Sequence, residues 1–313
     1  MIWRRLFVFG IQKTSKVRMP YVKRSHRFLW MWAAIAGIWA ALVLTPLALG
    51  QKSVQGPQPQ EGPHTRLTLL SNRATVVPGS HIWVGVWFQM EKGWHVYWEN
   101  PGDSGEPPKI QWQLPARFRV GAIEWPAPEK LTTPSIVDYG YQDEVLLFAP
   151  LSVPAGLRDG ASVTLSANVN WLVCREMCMP GKAQLSLTLA VNSKVKGWTG
   201  TPSSADVAEF TNARAEVPKP TPATWKVYAT NEKSDFVLTI ETGKQETAAT
   251  FFPLAEEQIK NEKTQAATPF LRGVRLRLQK SDGLLKRIAR LRGVLELGTG
   301  RAYEISAPVY GAT

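Results

Sequence analysis

Ser162-Val163-Thr164-Leu165-Ser166-Ala167-Asn168-Val169-Asn170-Trp171-Leu172-Val173-Cys174-Arg175-Glu176-Met177-Cys178-Met179-Pro180-Gly181-Lys182 reads as a strand, a pair of thiols and the start of a return strand. Val163, Leu165, Ala167, Val169, Trp171 and Val173 fall on one face, and Ser162, Thr164, Ser166, Asn168 and Asn170 on the other. That period of two is the mark of a half-buried strand. Leu185, Leu187, Leu189 and Val191 repeat it, so Cys174 to Lys182 is expected to connect a hairpin, with Pro180 and Gly181 as turn formers. By parity Cys174 belongs to the polar face, which places the thiols at a sandwich edge or end, within reach of another protein.

Cys174 and Cys178 are the only cysteines in the chain. Positions i and i+4 on a regular helix keep their Cβ atoms about 5–6 Å apart, beyond the roughly 3.5–4.5 Å a disulfide needs. Along one straight strand the same four steps span about 13 Å. A bridged pair must therefore lie on a turn or a distorted strand end. A loop of about five residues gains only roughly 2 kcal/mol from closure, against about 4.7 for 100 residues. Such a bridge staples little, which favours a chemical role over a structural one.

An oxidising compartment is expected from the N-terminus. Residues 1–50 hold eight Lys or Arg and no Asp or Glu, followed by an apolar run from Phe28 to Leu49. A positive flank before an apolar stretch is an export signature, and Ala48-Leu49-Gly50 supplies small residues for cleavage before Gln51. The alternative is a retained anchor, since 22 mostly apolar residues can span a bilayer. A start at Met19 instead of Met1 would give a signal of ordinary length. Removing the eight positive charges from the formal +12 leaves +4 for residues 51–313. The high pI is then largely a targeting feature, and no basic stripe interleaved with aromatics points to nucleic acid.

Residues 51–63 are rich in Gln, Gly and Pro and read as a flexible leader. From 64 to 192 short alternating runs follow one another: Arg66 to Leu70, His81 to Met90, Trp94 to Trp98, Ile110 to Leu114, Phe118 to Trp125, Glu144 to Val153, Ser162 to Val173 and Ala183 to Val191. That spacing predicts an all-β sandwich. Ile82, Val84, Val86 and Phe88 would face its core, leaving Trp83 and Trp87 on an unusually aromatic opposite face. Residues 193–222 shift to Ser, Thr, Ala and Pro, the composition of a linker, with a short helix at Ala205 to Asn212. Residues 223–313 carry a second set of alternating runs and a tight-hairpin signal at Gly298-Thr299-Gly300, so a second sandwich is expected. Leu284, Leu285, Ile288 and Leu291 fit either a short helix or an irregular apolar segment.

Several motifs in one order carry a resemblance: Gly93-Trp94-His95-Val96-Tyr97-Trp98-Glu99-Asn100-Pro101-Gly102-Asp103-Ser104-Gly105, Glu124-Trp125-Pro126-Ala127-Pro128, Tyr139-Gly140-Tyr141, and Trp171 to Pro180. Over about residues 64–192 the chain resembles the N-terminal periplasmic domain of DsbD-type thiol:disulfide interchange proteins, nearest the ScsB-like branch. The domain after it resembles that branch's second extracytoplasmic domain more loosely. The resemblance implies two tandem immunoglobulin-like β-sandwiches, a redox pair at Cys174 and Cys178, and thioredoxin-like periplasmic partners. It also implies a membrane electron donor, expected on a separate chain because the family's membrane and thioredoxin-like domains are not found in this sequence. No cofactor is expected. Three residues separate these cysteines, where the best-known family pattern has five. The family's cap loop corresponds to about Thr132 to Tyr141, with Tyr139 and Tyr141 as shielding aromatics; ordinary core or edge tyrosines are the other reading.

The implied chemistry is thiol–disulfide exchange: one thiolate attacks a partner disulfide and the other cysteine resolves the mixed species. The cysteine nearer the exposed rim should attack. Arg175 would favour a thiolate and Glu176 would oppose it. Two further readings stay open. Cys174, Met177, Cys178 and Met179 offer four sulfurs of the kind copper(I) prefers, although no His pair or second Cys pair accompanies them. Alternatively the cystine is structural, in a non-catalytic interaction module that presents Trp83, Trp87 and Trp94. Asn100 to Gly105 reads as a turn, because neither Glu99 nor Asp103 has an identifiable partner base.

Overall fold

The computed structural model describes residues 57–133, 136–194, 204–298 and 300–311. The expected signal or anchor and the first half of the leader lie outside the described residues. Among those described, no helix is long and apolar enough to cross a membrane.

More than half of the described chain is strand, in two sheet systems consistent with tandem β-sandwiches. In the first system one sheet runs in the order β1 (Gln60–Gly62), β2 (Thr65–Ser71), β4 (His81–Met90), β10 (Glu144–Ser152), β7 (Arg119–Val120). Its partner sheet runs β3 (Thr75–Val76), β12 (Cys178–Val191), β11 (Ser162–Cys174), β5 (His95–Gly102), β9 (Val137–Gln142), β8 (Glu129–Thr132), with β6 (Lys109–Gln113) also pairing β11. The second system runs β16 (Ala249–Pro253), β19 (Arg290–Leu297), β20 (Arg301–Tyr310), β14 (Lys226–Asn231), β15 (Asp235–Glu241), β18 (Gly273–Gln279), β17 (Ala266–Phe270), with β13 (Lys219–Pro220) beside β20. Strand β20 joins two halves of that sheet whose buried residues, from Leu238 and Leu276 to Leu295 and Ile305, share one core.

Alternation places the first core as the sequence indicates. Val84, Val86 and Phe88 of β4 meet Leu165, Val169 and Trp171 of β11 and Leu185 and Leu187 of β12 in one buried cluster. Two expectations change. The β11–β12 ladder continues unbroken to the pair Cys174 and Cys178, so the connection is Arg175–Met177 alone, and Pro180 and Gly181 lie within β12 opposite Leu172 and Trp171. A proline fits there because, among the described residues, β12 has no strand on its far side until it meets β3 at Ala190 and Val191. Gly181 is needed for packing, not turning: a Cβ would stand 2.2 Å from the Trp171 indole.

The stretch Phe118 to Trp125 is strand only at Arg119–Val120, with one isolated bridge from Glu124 to Phe148. A hairpin that alternation did not reveal, β8–β9, occupies the region matched to the cap loop. Leu284 to Ile288 is irregular, and Leu285 is 92% exposed.

Helix α1 (Ser204–Glu216) covers the aromatic face of β4. Phe210 and Ala213 are buried with Leu146 and Phe148 there, against Trp83 and Trp87. The Arg214 guanidinium stands 5.2 Å from the Trp83 ring centre. The aromatic surface of the interaction-module reading is thus largely internal. Phe252 and Val294 from the second system also join the first core, where Phe252 packs edge-on to Trp98 and Tyr139.

Candidate functional site

The β11–β12 ladder puts Cys174 and Cys178 directly opposite one another, with Cα atoms 4.1 Å apart, and the two sulfurs are bonded. A strand end beside a three-residue connection supplies the close approach that neither a helix nor a single straight strand could. The two sulfurs differ in access. Cys174 is 3% exposed, whereas Cys178 is exposed to solvent.

Burial of Cys174 comes from β5. His95 is its register partner across the sheet, and Tyr97, two residues on, points to the same face. The Tyr97 hydroxyl donates a hydrogen bond to Cys174 Sγ at 2.8 Å and lies 3.5 Å from Cys178 Sγ. The His95 ring packs edge-on to Tyr97 with centroids 5.2 Å apart. Burial lowers the pKa of His95, so the ring is held neutral. Burial likewise raises that of Tyr97, with a hydrogen bond from Ser104 opposing the rise and the charge of Asp138 adding to it. The phenol therefore stays a proton donor at neutral pH.

Behind Tyr97 stands the Asn100 to Gly105 segment. Gly105, at φ 82°, lies so close to the ring that a Cβ would sit 2.1 Å from it. Ser104 donates from its backbone N–H and hydroxyl to Asp138 at 3.0 Å. Asp103 accepts from the Val137 N–H at 2.8 Å and from Asn261 Nδ2 at 2.7 Å, while Asn100 Nδ2 donates to the Pro253 carbonyl at 2.6 Å. What reads as a turn in sequence is thus a partly buried bracket tying the wall of the cystine site to the second sandwich.

Of the tyrosines matched to the cap, Tyr139 donates to Asn261 Oδ1 at 2.8 Å and Tyr141 to the Pro126 carbonyl at 2.8 Å. Both rings are buried in the sandwich. The hydroxyl that reaches the sulfurs belongs to Tyr97, which the spacing of the cysteines could not reveal. Its one sequence signal is parity with His95 on a strand next to the cysteine strand, and that adjacency is tertiary.

At the tip, Arg175 pairs with Glu176 at 2.6 Å, and its guanidinium stands 5.2 Å from the Trp94 ring centre. His64 stacks on Trp94 at 3.8 Å, so this tryptophan is an internal anchor, 4% exposed, and not a contact surface. The four sulfurs do not converge. Met179 packs against the core while Met177 is 67% exposed. Among the described residues no three His, Cys, Asp or Glu side chains gather as a metal site.

Residues 67–190 match the family model described as thiol:disulfide interchange protein DsbD, N-terminal. The chain superposes on the N-terminal periplasmic domain of ScsB from Proteus mirabilis with a TM-score of 0.60 and 16% identity, covering 80% of this chain and 94% of that one. Because that share exceeds the first sandwich, the likeness of fold extends into the second. The YadV chaperone aligns over 77% of this chain and 98% of its own at 11% identity, but a TM-score of 0.20 supports no argument. No curated protein matches the chain.

Proposed function

We propose that this chain, whose residues 67–190 form a domain of the DsbD N-terminal type carrying a Cys–Cys disulfide, is a periplasmic electron relay. It exchanges that disulfide with thioredoxin-like proteins and is served by a membrane electron donor. The observation that carries the reading is the unequal access of two bonded sulfurs, with Cys178 open to solvent and Cys174 buried beneath a tyrosine hydroxyl.

Access assigns the steps. An incoming thiolate attacks Cys178 Sγ; the bond between the cysteines breaks, and its electron pair leaves on Cys174. The Tyr97 hydroxyl, 2.8 Å away, stabilises that thiolate by hydrogen bonding. In the other direction Cys178 attacks the partner's disulfide and releases one partner thiolate. Cys174 then attacks Cys178 Sγ and frees the second. Arg175 and Glu176 largely neutralise each other, so the tyrosine, not the charged tip, sets the environment of the buried sulfur. Tyr139 and Tyr141, buried on the strand paired with the one that carries Tyr97, shield the site from behind.

Residues 64–192 and 223–313 are read as two immunoglobulin-like domains, supported by two mainly antiparallel sheets packed on one core in the first and one mainly antiparallel sheet around a single core in the second. In this division the helix-bearing segment 193–222 is a connection docked onto the first domain.

Trapping tests the relay. Incubated with an oxidised thioredoxin-like protein, reduced Cys174→Ser accumulates a mixed disulfide through Cys178, whereas Cys178→Ser accumulates none. If neither variant traps a partner, the exchange reading is wrong. A midpoint potential below about −300 mV would likewise mark the cystine as an inert structural bond.

A further inference from the structure

Cys178, Cys174, His95 and Gln142 are successive register partners across strands β12, β11, β5 and β9. Directly paired positions point to one face of a sheet with Cβ atoms about 4.5–5.5 Å apart, so the imidazole stands beside the buried sulfur. His95 is only 8% exposed, and its Nε2 has no hydrogen-bond partner. A buried polar atom left unpaired is desolvated without compensation, and here it belongs to the residue paired across the sheet with the sulfur that, in the exchange reading, loses and regains a proton in each cycle.

We propose that His95 is the proton-holding residue for Cys174, an inference that rests on the exchange reading and adds a residue to it. When the Cys174 thiol resolves a mixed disulfide at Cys178, its S–H bond breaks and the proton passes to the imidazole. The Cys174–Cys178 bond forms, the bond from Cys178 to the partner breaks, and the electron pair leaves on the partner's sulfur. The imidazolium then returns its proton to that thiolate or to water. On reduction the sequence reverses, and the Cys174 thiolate is protonated from the ring.

Two features suit His95 to this work. Burial alone depresses its basicity, so the ring is neutral and able to accept a proton at neutral pH. Three titratable groups on the same or adjoining segments are committed elsewhere. Tyr97 on its own strand donates to Cys174, Asp138 on β9 is held by Ser104, and Arg175 beyond β11 is paired with Glu176.

The test uses the full chain reduced and then capped at Cys178 with the coloured thionitrobenzoate leaving group, whose release reports attack by Cys174. In the wild type, release should rise with pH through a step below the ordinary histidine range. His95→Gln, which keeps a polar side chain that does not titrate, should remove that step and slow release at neutral pH by about 10²-fold. A profile and rate unchanged in His95→Gln would overturn the proposal. If the wild type itself releases nothing, the exchange reading fails instead. Should the variant not fold, the wild-type ring is followed by NMR in both redox forms. A His95 titration that moves on reduction is expected, and one identical in the two forms overturns the role.

Discussion

The β11–β12 and β19–β20 hairpins leave the same three-residue tip and close it by different physics. Cys174 faces Cys178 across one tip, and Leu297 faces Arg301 across the other. In the second hairpin Gly298 and Gly300 take φ values of 64° and 77°, the left-handed backbone that three-residue tips favour and that glycine adopts without steric cost. None of Arg175, Glu176 and Met177 has a positive φ. That tip is closed by a covalent bond between side chains. One closure is written into backbone preference and is permanent, whereas in the proposed exchange the other opens each time a thiol attacks Cys178. On that proposal the strand pair remains zipped while its last link changes.

The largest test of that contrast removes the zip and leaves the link. Trp171 is buried over Gly181, and its ring packs edge-on to Phe88 with centroids 6.1 Å apart. Trp171→Ala should destabilise the protein by about 3–5 kcal/mol in a denaturant titration. A much smaller loss would mean that the disulfide, not the core, holds the hairpin.

Opening the link should cost less. Reduction, or replacing both cysteines by alanine, is expected to lower stability by about 2 kcal/mol, the closure entropy of so small a loop. Gly300→Ala in the other hairpin should cost a comparable ~1–2 kcal/mol, because it forces a side chain into left-handed backbone. Side-by-side melts of the two variants compare the closures directly. A cystine loss far above the glycine loss would restore the structural reading of the bond.

The smallest effect concerns acid. Burial depresses the basicity of His95, so between its folded pKa and its ordinary value of 6.5 the unfolded chain binds more protons. Stability contributed by this group is complete above that ordinary value and declines as pH falls below it. His95→Gln should flatten this part of a melting-temperature profile, and an unaltered profile would show that the ring pays no ionisation cost when buried.

Much of this was legible in the residues. Period-two alternation located β4, β10 and β11 closely, and the four-residue spacing required a turn or strand end for the cystine. The β8–β9 hairpin escaped because Glu129–Thr132 lacks an apolar face. Alternation also leaves no trace of what covers a strand from outside. Trp83 and Trp87 therefore suggested an open surface, although α1, more than a hundred residues away in sequence, packs on them. Pro180 and Gly181 suggested a turn because those residue types usually make one. Here an edge position tolerates the first, and the Trp171 ring requires the second.

Sequence by itself determined which residues alternate and that two sulfurs must lie close, because both follow from the covalent geometry of a short run of chain. Only the tertiary structure decided that Cys178 is the exposed sulfur and that Tyr97 and His95 flank Cys174. Those facts depend on the register between β5 and β11, strands nearly eighty residues apart, which is fixed by core packing and not by any local preference.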